Sequence, residues 1–290
     1  MEKNNIKFTD KKVVVAGSHV RVFLYDGLKH AYNYNLPKRC RLEPFIPEDE
    51  SESEKAFRVE SEKLEKIERR KKSMLNAKSR LTDTINSNLW RYLKEDGRPY
   101  IPIFLTFTFK EDVTNVSDAN YILNKFLKRL NYEIIGQKGG FLKYSGVIEH
   151  QDKNRNGVIH YHIVFFNLKF IWADKLAEIW GEGYIKIKKI GKVKDIAKYL
   201  TKYMSKNFED SRLDGKKRIL SSRGLFKPIV YLDETWADRV YRVIPKKCLT
   251  NQKEYWSKYD GQVKKQEFII PRNMDLEQTI AENFLHDYHQ

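Results

Sequence analysis

Across 290 residues, Lys and Arg outnumber Asp and Glu by 55 to 39; a formal charge of +16 points to a polyanionic partner, because bound cations release the counterions condensed on a phosphate backbone. Hydrophobic residues make up 41% of the chain, enough for a core, yet no run approaches the roughly 20 apolar residues of a membrane span, and MEKNNIKFTD lacks the apolar stretch of a secretory signal. Only Cys40 and Cys248 are present, far apart and without metal-type spacing, so no disulfide framework and no membrane partner are expected, and a reducing cytoplasm is.

Residues 1–47 hold two strand-like runs, KVVVAG and VRVFLY, with Gly17 and Gly27 as turn-formers at or near their ends. A small hairpin or pair of edge strands is expected, with no readable role. Residues 48–98 open on the acidic EDESESE, as suits a helix N-terminus. Apolar residues then recur at Leu64, Ile67, Met74, Leu81, Ile85, Leu89 and Tyr92, which predicts a long amphipathic helix broken near Ser73 or Ser79. Its basic cluster Arg69, Arg70, Lys71 and Lys72 reads as a solvated face or as a DNA contact.

From Tyr100 the pattern becomes regular. IPIFLTFTF is a strand, rich in β-branched and aromatic residues. SDANYILNKFLKRLNY is a helix with Ser117 or Asp118 as its N-cap. KYSGVIEH and IHYHIVFF are strands joined by the polar turn QDKNRNGV. WADKLAEIW is a short helix ended by Gly181, YIKIKKI a fourth strand, and VKDIAKYLTKYMSK a helix. The order β-α-β-β-α-β plus one helix over residues 99–207 predicts an α+β domain of ferredoxin-like plan: an antiparallel sheet with helices on one face and the other face open. A mobile loop is expected within 205–224, and the extension 208–290 carries no readable function.

Three pieces of this domain carry chemistry. In His160-Tyr161-His162 alternate side chains share a face, so both imidazoles point the same way, about 6–7 Å apart by the strand rise, close enough to hold one metal ion. Glu149 closes the preceding strand, and the hairpin sets its carboxylate beside the pair if the register puts it on the same face. His150 is expected to point the other way. Two imidazoles and a carboxylate leave positions open for phosphate oxygens and water, but they also describe catalytic zinc and non-haem iron sites, so the ligands do not define the reaction. In the helix, Tyr199 and Tyr203 stand four apart on one face, with Lys202 and Lys206 on a neighbouring stripe. Such a stripe is ordinarily packing. The alternative is a nucleophile beside a cation, since a phenol that ionises at about pH 10 needs a metal, base or cation to favour the phenolate.

The His-hydrophobic-His strand, the upstream Glu149 and the downstream tyrosine–lysine helix resemble the HUH endonucleases. FLTFTF at 104–109 resembles the first motif of their replication initiators, and YLTKYMSK at 199–206 the two-tyrosine motif of phage and plasmid rolling-circle initiators; the resemblance covers residues 100–207. It implies that Glu149, His160 and His162 coordinate Mg2+ or Mn2+, which polarises the scissile phosphate. It implies that Tyr199 attacks, giving a 5′-phosphotyrosine and a free 3′-OH that primes synthesis, and that Tyr203 serves a second transesterification. Lys202 would orient the phosphate or stabilise the tyrosinate. Both Tyr199 to Lys202 and Tyr203 to Lys206 satisfy the Tyr-x-x-Lys unit of single-tyrosine members, so the order of attack stays open. The implied substrate is single-stranded DNA at a replication origin in a bacterial host. Nothing after residue 207 resembles G-x-x-x-x-G-K-[ST], so a host helicase and polymerase are the implied partners.

Lys186, Lys188, Lys189, Lys192 and Lys194 cluster where the fourth strand enters the tyrosine helix, as a phosphate track or as lysines guarding a strand edge. Lys206 and Arg223 are further candidates for DNA contact. The competing readings are a relaxase, whose tyrosine would precede the histidines; a single-strand transposase, typically shorter; a hydrolase that activates water on a metal; and a non-catalytic basic DNA-binding protein.

Overall fold

The computed structural model describes residues 8–30, 51–136, 140–153, 155–190, 196–206, 210–213, 216–257 and 260–284. The chain folds around two antiparallel sheets, each of five strands among these residues. One is built from the middle of the chain: β3 (Ile103–Phe109), β4 (Tyr144–Gln151), β5 (Val158–Phe165), β6 (Gly183–Lys189) and β7 (Ile219–Ser221), in the order β6-β3-β5-β4-β7. The other joins β1 (Phe8–Ala16) and β2 (His19–His30) to β8 (Ile229–Tyr231), β9 (Leu249–Ser257) and β10 (Gly261–Ile269), in the order β8-β1-β2-β10-β9. The helices are α1 (Glu52–Asn88), α2 (Val116–Ile135), α3 (Ala173–Trp180), α4 (Ile196–Lys206), α5 (Glu234–Val243) and α6 (Leu276–Phe284). No helix among the described residues is long and apolar enough to cross a membrane.

Alternation along the central strands feeds two separate cores. Leu105, Phe107 and Phe109 of β3, with Ile159, Tyr161 and Ile163 of β5, turn toward α2 and α3. There Trp180 packs against Phe107, Phe109 and Phe126 with ring centroids 5.1, 5.2 and 5.4 Å away, and the Tyr161 hydroxyl donates to Asn120 at 2.9 Å. Phe104, Val147 and Val164 face the other way, and such a surface needs a cover. The cover is α4, through Ile196, Ala197 and Leu200, together with Met74, Leu81 and Ile85 of α1. The expectation of a wholly open face therefore fails: helices lie on both sides of this sheet.

Capping chemistry sets the helix ends. Ser51 accepts from the Glu54 amide while the Glu54 carboxylate accepts from the Ser51 amide, a reciprocal capping box that starts α1. The helix then runs unbroken for 37 residues, against the expected interruption. One of the two serines has its hydroxyl engaged elsewhere: Ser79 Oγ accepts from Arg21 at 3.0 Å instead of competing for the backbone. For α2 the cap is Asn115, whose side chain accepts from the Ser117 and Asp118 amides, so the two residues expected to cap are the donors. Gly181 ends α3 in the left-handed conformation, as expected.

Within the stretch expected to be a mobile loop, Ile219–Ser221 instead extends the sheet along β4, pairing Ile219 with Val147 and Ser221 with Ser145. The strands of segment 1–47 do form a hairpin, but its open edges are filled by strands of segment 208–290. That second sheet packs Val13, Val20, Val22 and Phe268 against α5 and α6. It is tied to α1 by Arg21 and Asp83, 2.5 Å apart, and by the turn at Gly17 (φ +58°), where a Cβ would collide with the Asn86 carbonyl oxygen. Cys248 is a buried free thiol, and Cys40 lies outside the described residues.

Candidate functional site

Strand register decides which side chains meet. His160 pairs with Glu149 on β4 and with Thr108 on β3; His162 pairs with Val147 and Thr106. Directly paired residues share a face, so Glu149, His160, His162, Thr106 and Thr108 all lie on the face that carries Phe104. Strand β6 continues the rows with Tyr184 beside Thr108, Lys186 beside Thr106 and Lys188 beside Phe104. His150 takes the opposite face, where its Nδ1 lies 2.8 Å from Asp210.

The two imidazoles, with ring centroids 6.4 Å apart, sit in different surroundings. His162 is buried, with Nε2 2.5 Å from a Glu149 oxygen and Nδ1 3.1 Å from Thr106 Oγ1. A carboxylate only accepts, so Nε2 carries the proton there, and the Thr106 hydroxyl donates to Nδ1. His160 is half-buried, and its Nε2 is buried with no hydrogen-bond partner among protein atoms. Burial, reinforced by His162 and opposed by Glu149, pushes the His160 imidazole down to about 4 and keeps it neutral at ordinary pH. As the side chains stand, no three His, Cys, Asp or Glu residues among the described residues surround a common point that could hold a metal ion. The chemistry of the donors nevertheless fits one: His160 Nε2 is an unused lone pair, and Thr106 can accept from Nδ1 as readily as it donates, which would release His162 Nε2 from Glu149.

Helix α4 lies across this face. The Tyr199 ring meets Phe104 edge-on at 5.3 Å, Phe104 stacks on His162 at 6.0 Å, and the Lys188 ammonium stands 4.2 Å from the Tyr199 ring centroid. Lys202 is exposed on the same helix. Tyr203 and Lys206 belong to its last turns, but their side chains lie outside the described residues, as does that of Lys189 at the end of β6; Lys192 and Lys194 lie outside them altogether. Lys186 is exposed on the site face. Arg223 is not brought in: it follows β7 at the far end of β4, where its carbonyl accepts from Lys143 at 2.9 Å. The sequence reading missed Thr106 and Phe104, although the alternation of FLTFTF already put both on the face of the histidine pair.

Residues 102–208, which run from β3 through α4, match the model of a family described as replication-associated protein, of the ORF2 type. No curated protein and no solved structure matches the chain. The family match supports a replication initiator.

Proposed function

We propose that the chain initiates replication by nicking single-stranded DNA at an origin, through a tyrosine–phosphate linkage on a ferredoxin-like frame. The strand order β6-β3-β5-β4, with α2 and α3 as the crossovers, supports that frame. One observation carries the chemistry: Glu149, His160 and His162 share the sheet face over which α4 holds Tyr199.

In the proposed reaction the Tyr199 oxygen attacks phosphorus and the bond from phosphorus to O3′ breaks. The phenolic proton passes to solvent, and the departing O3′ takes one up, leaving a 3′-OH and a 5′-phosphotyrosine. One phosphodiester replaces another, so no ATP is consumed. Phe104 orients the Tyr199 ring, and Lys188 and Lys186 stand where phosphate charge would lie. Lys202 would serve the same phosphate, and Tyr203 a later transfer that rejoins the strand. Glu149, His160 and His162 would hold the divalent cation, whose contribution is to draw charge from the phosphate oxygens. Thr106 would keep the His162 ring aligned.

A second reading, a non-catalytic DNA-binding module, draws on the Glu149–His162 hydrogen bond and on the packing of the Tyr199 ring in the second core. Incubating the protein with single-stranded origin DNA and Mn2+, then separating on a denaturing gel, distinguishes the two. A covalent adduct lost in Tyr199→Phe supports nicking. Cleavage without an adduct points to a hydrolase that activates water, and absence of cleavage points to the binding module. A Tyr203→Phe variant that nicks but does not rejoin would assign the second tyrosine.

A further inference from the structure

Beside the site, α1 and the segment entering β7 wall a groove of about 860 Å³. Lys66, Arg69, Arg70 and Arg80 line one wall, all exposed and at spacings that keep them along one side of the helix. Lys216, Lys217 and Arg218 line the other. Between them the floor is apolar, with Met74 and Ile219 among its residues, and no Asp or Glu lines it among the described residues. Seven cations from two distant parts of the chain repel one another, and an arrangement of that kind concentrates a polyanion.

The groove opens onto the site face. Ile219 pairs with Val147, two positions before Glu149, and the Arg218 carbonyl accepts from the Ile148 amide at 3.3 Å. A duplex offers such a groove phosphates but no apolar surface for its floor, whereas a single strand offers phosphates to the walls and base faces to the floor. We propose that this groove binds the sugar–phosphate backbone of the single strand flanking the scissile phosphate, on the β7 side of the site. The proposal rests on the nicking reading for its substrate but is measured by binding alone.

The test uses the full chain carrying Tyr199→Phe, in EDTA, with a fluorescent single-stranded oligonucleotide titrated at several salt concentrations. Replacing Lys66, Arg80, Lys216 and Lys217 by Ala should weaken binding roughly ten-fold or more and lower the slope of log affinity against log salt by up to about 3. Lys216→Ala with Lys217→Ala alone, outside the helix, should give about half that loss of slope and guards against misfolding of α1. Alanine at Lys125, Lys128, Lys175 and Lys253, remote from the groove, removes the same charge and should change the slope much less. Equal losses in the groove and remote variants would reduce the effect to net charge and overturn the proposal. Loss of duplex binding with single-strand binding intact would overturn it too. Adduct formation by the unsubstituted chain reports separately: groove-dependent binding without any adduct would sink the nicking reading and leave the groove standing.

Discussion

Lowering the pH of the metal-free protein from 7 toward 4 should expose the cost of keeping His160 neutral. An imidazole free in the unfolded chain takes up its proton near 6.5, whereas in the fold it does so only at about 4. Between those values the unfolded state binds more protons, so stability rises with pH across the window and falls as the solution is acidified through it. A ring wholly sealed from water would lose about 3 kcal/mol over that interval. His160 is only half-buried, and solvent screening brings the expectation to about 1–2 kcal/mol. Urea unfolding at half-unit pH steps, for the natural chain and for His160→Gln, isolates this group from the other acids, because the difference between the two curves cancels what they share. The difference should move against the natural chain as pH falls from about 6.5 to 4 and level off below. A flat difference would refute the placement of His160 in a desolvated position. The same shift predicts that adduct formation at pH 5–6 is not limited by protonation of His160.

Three further outcomes follow from the packing. Thr106→Val keeps the shape but removes the hydroxyl partner of His162, so Mn2+ affinity measured by calorimetry should fall about ten-fold or more, with folding stability changed by less than about 1 kcal/mol; unchanged affinity would remove Thr106 from the site. Gly17→Ala places a Cβ against the Asn86 carbonyl in a left-handed turn and should cost about 2 kcal/mol or more in thermal unfolding, and an unaltered midpoint would show that the turn can shift. Leu81→Ala, at a side chain 1% exposed between α1 and the sheet, should cost about 2–4 kcal/mol in urea unfolding; a loss below about 1 kcal/mol would mean that α1 does not seal that face.

The order of elements from residue 100 to 206 was legible because each segment carries its own period. IHYHIVFF alternates, KLAEIW repeats at helical spacing, and Gly181 stands where a helix must stop. Face assignment was legible for the same reason: parity alone separates His160 and His162 from Tyr161 and sends His150 away from Glu149. What a single segment cannot state is its distant partner. KVVVAG reads as half a hairpin, and nothing in it names Val230 or Tyr231 as the neighbours across its other edge. The Ser79 hydroxyl looks like a helix breaker until Arg21, far away in sequence, occupies it. Asn115 was passed over as a cap because Ser117 and Asp118 are equally suitable residue types, and only backbone geometry tells donor from acceptor. Cover was misjudged likewise: Phe104, Val147 and Val164 announce an apolar face, but not that α1 supplies part of its lid.

The interleaving of β1 and β2 with strands from the other end of the chain has a consequence during synthesis. As the chain leaves the ribosome, the β1–β2 hairpin emerges first, with backbone donors and acceptors unmet along both outer edges. Its neighbours β8 and β10 are translated only after the whole central sheet. Val13, Val14 and Val15 therefore spend most of translation as a bare, β-prone edge that another nascent chain could template onto. Production of this protein at high rates should depend on holding that hairpin apart until the last strands arrive, and slowed translation or coexpressed chaperones should raise the soluble yield more than any change at the tyrosine helix.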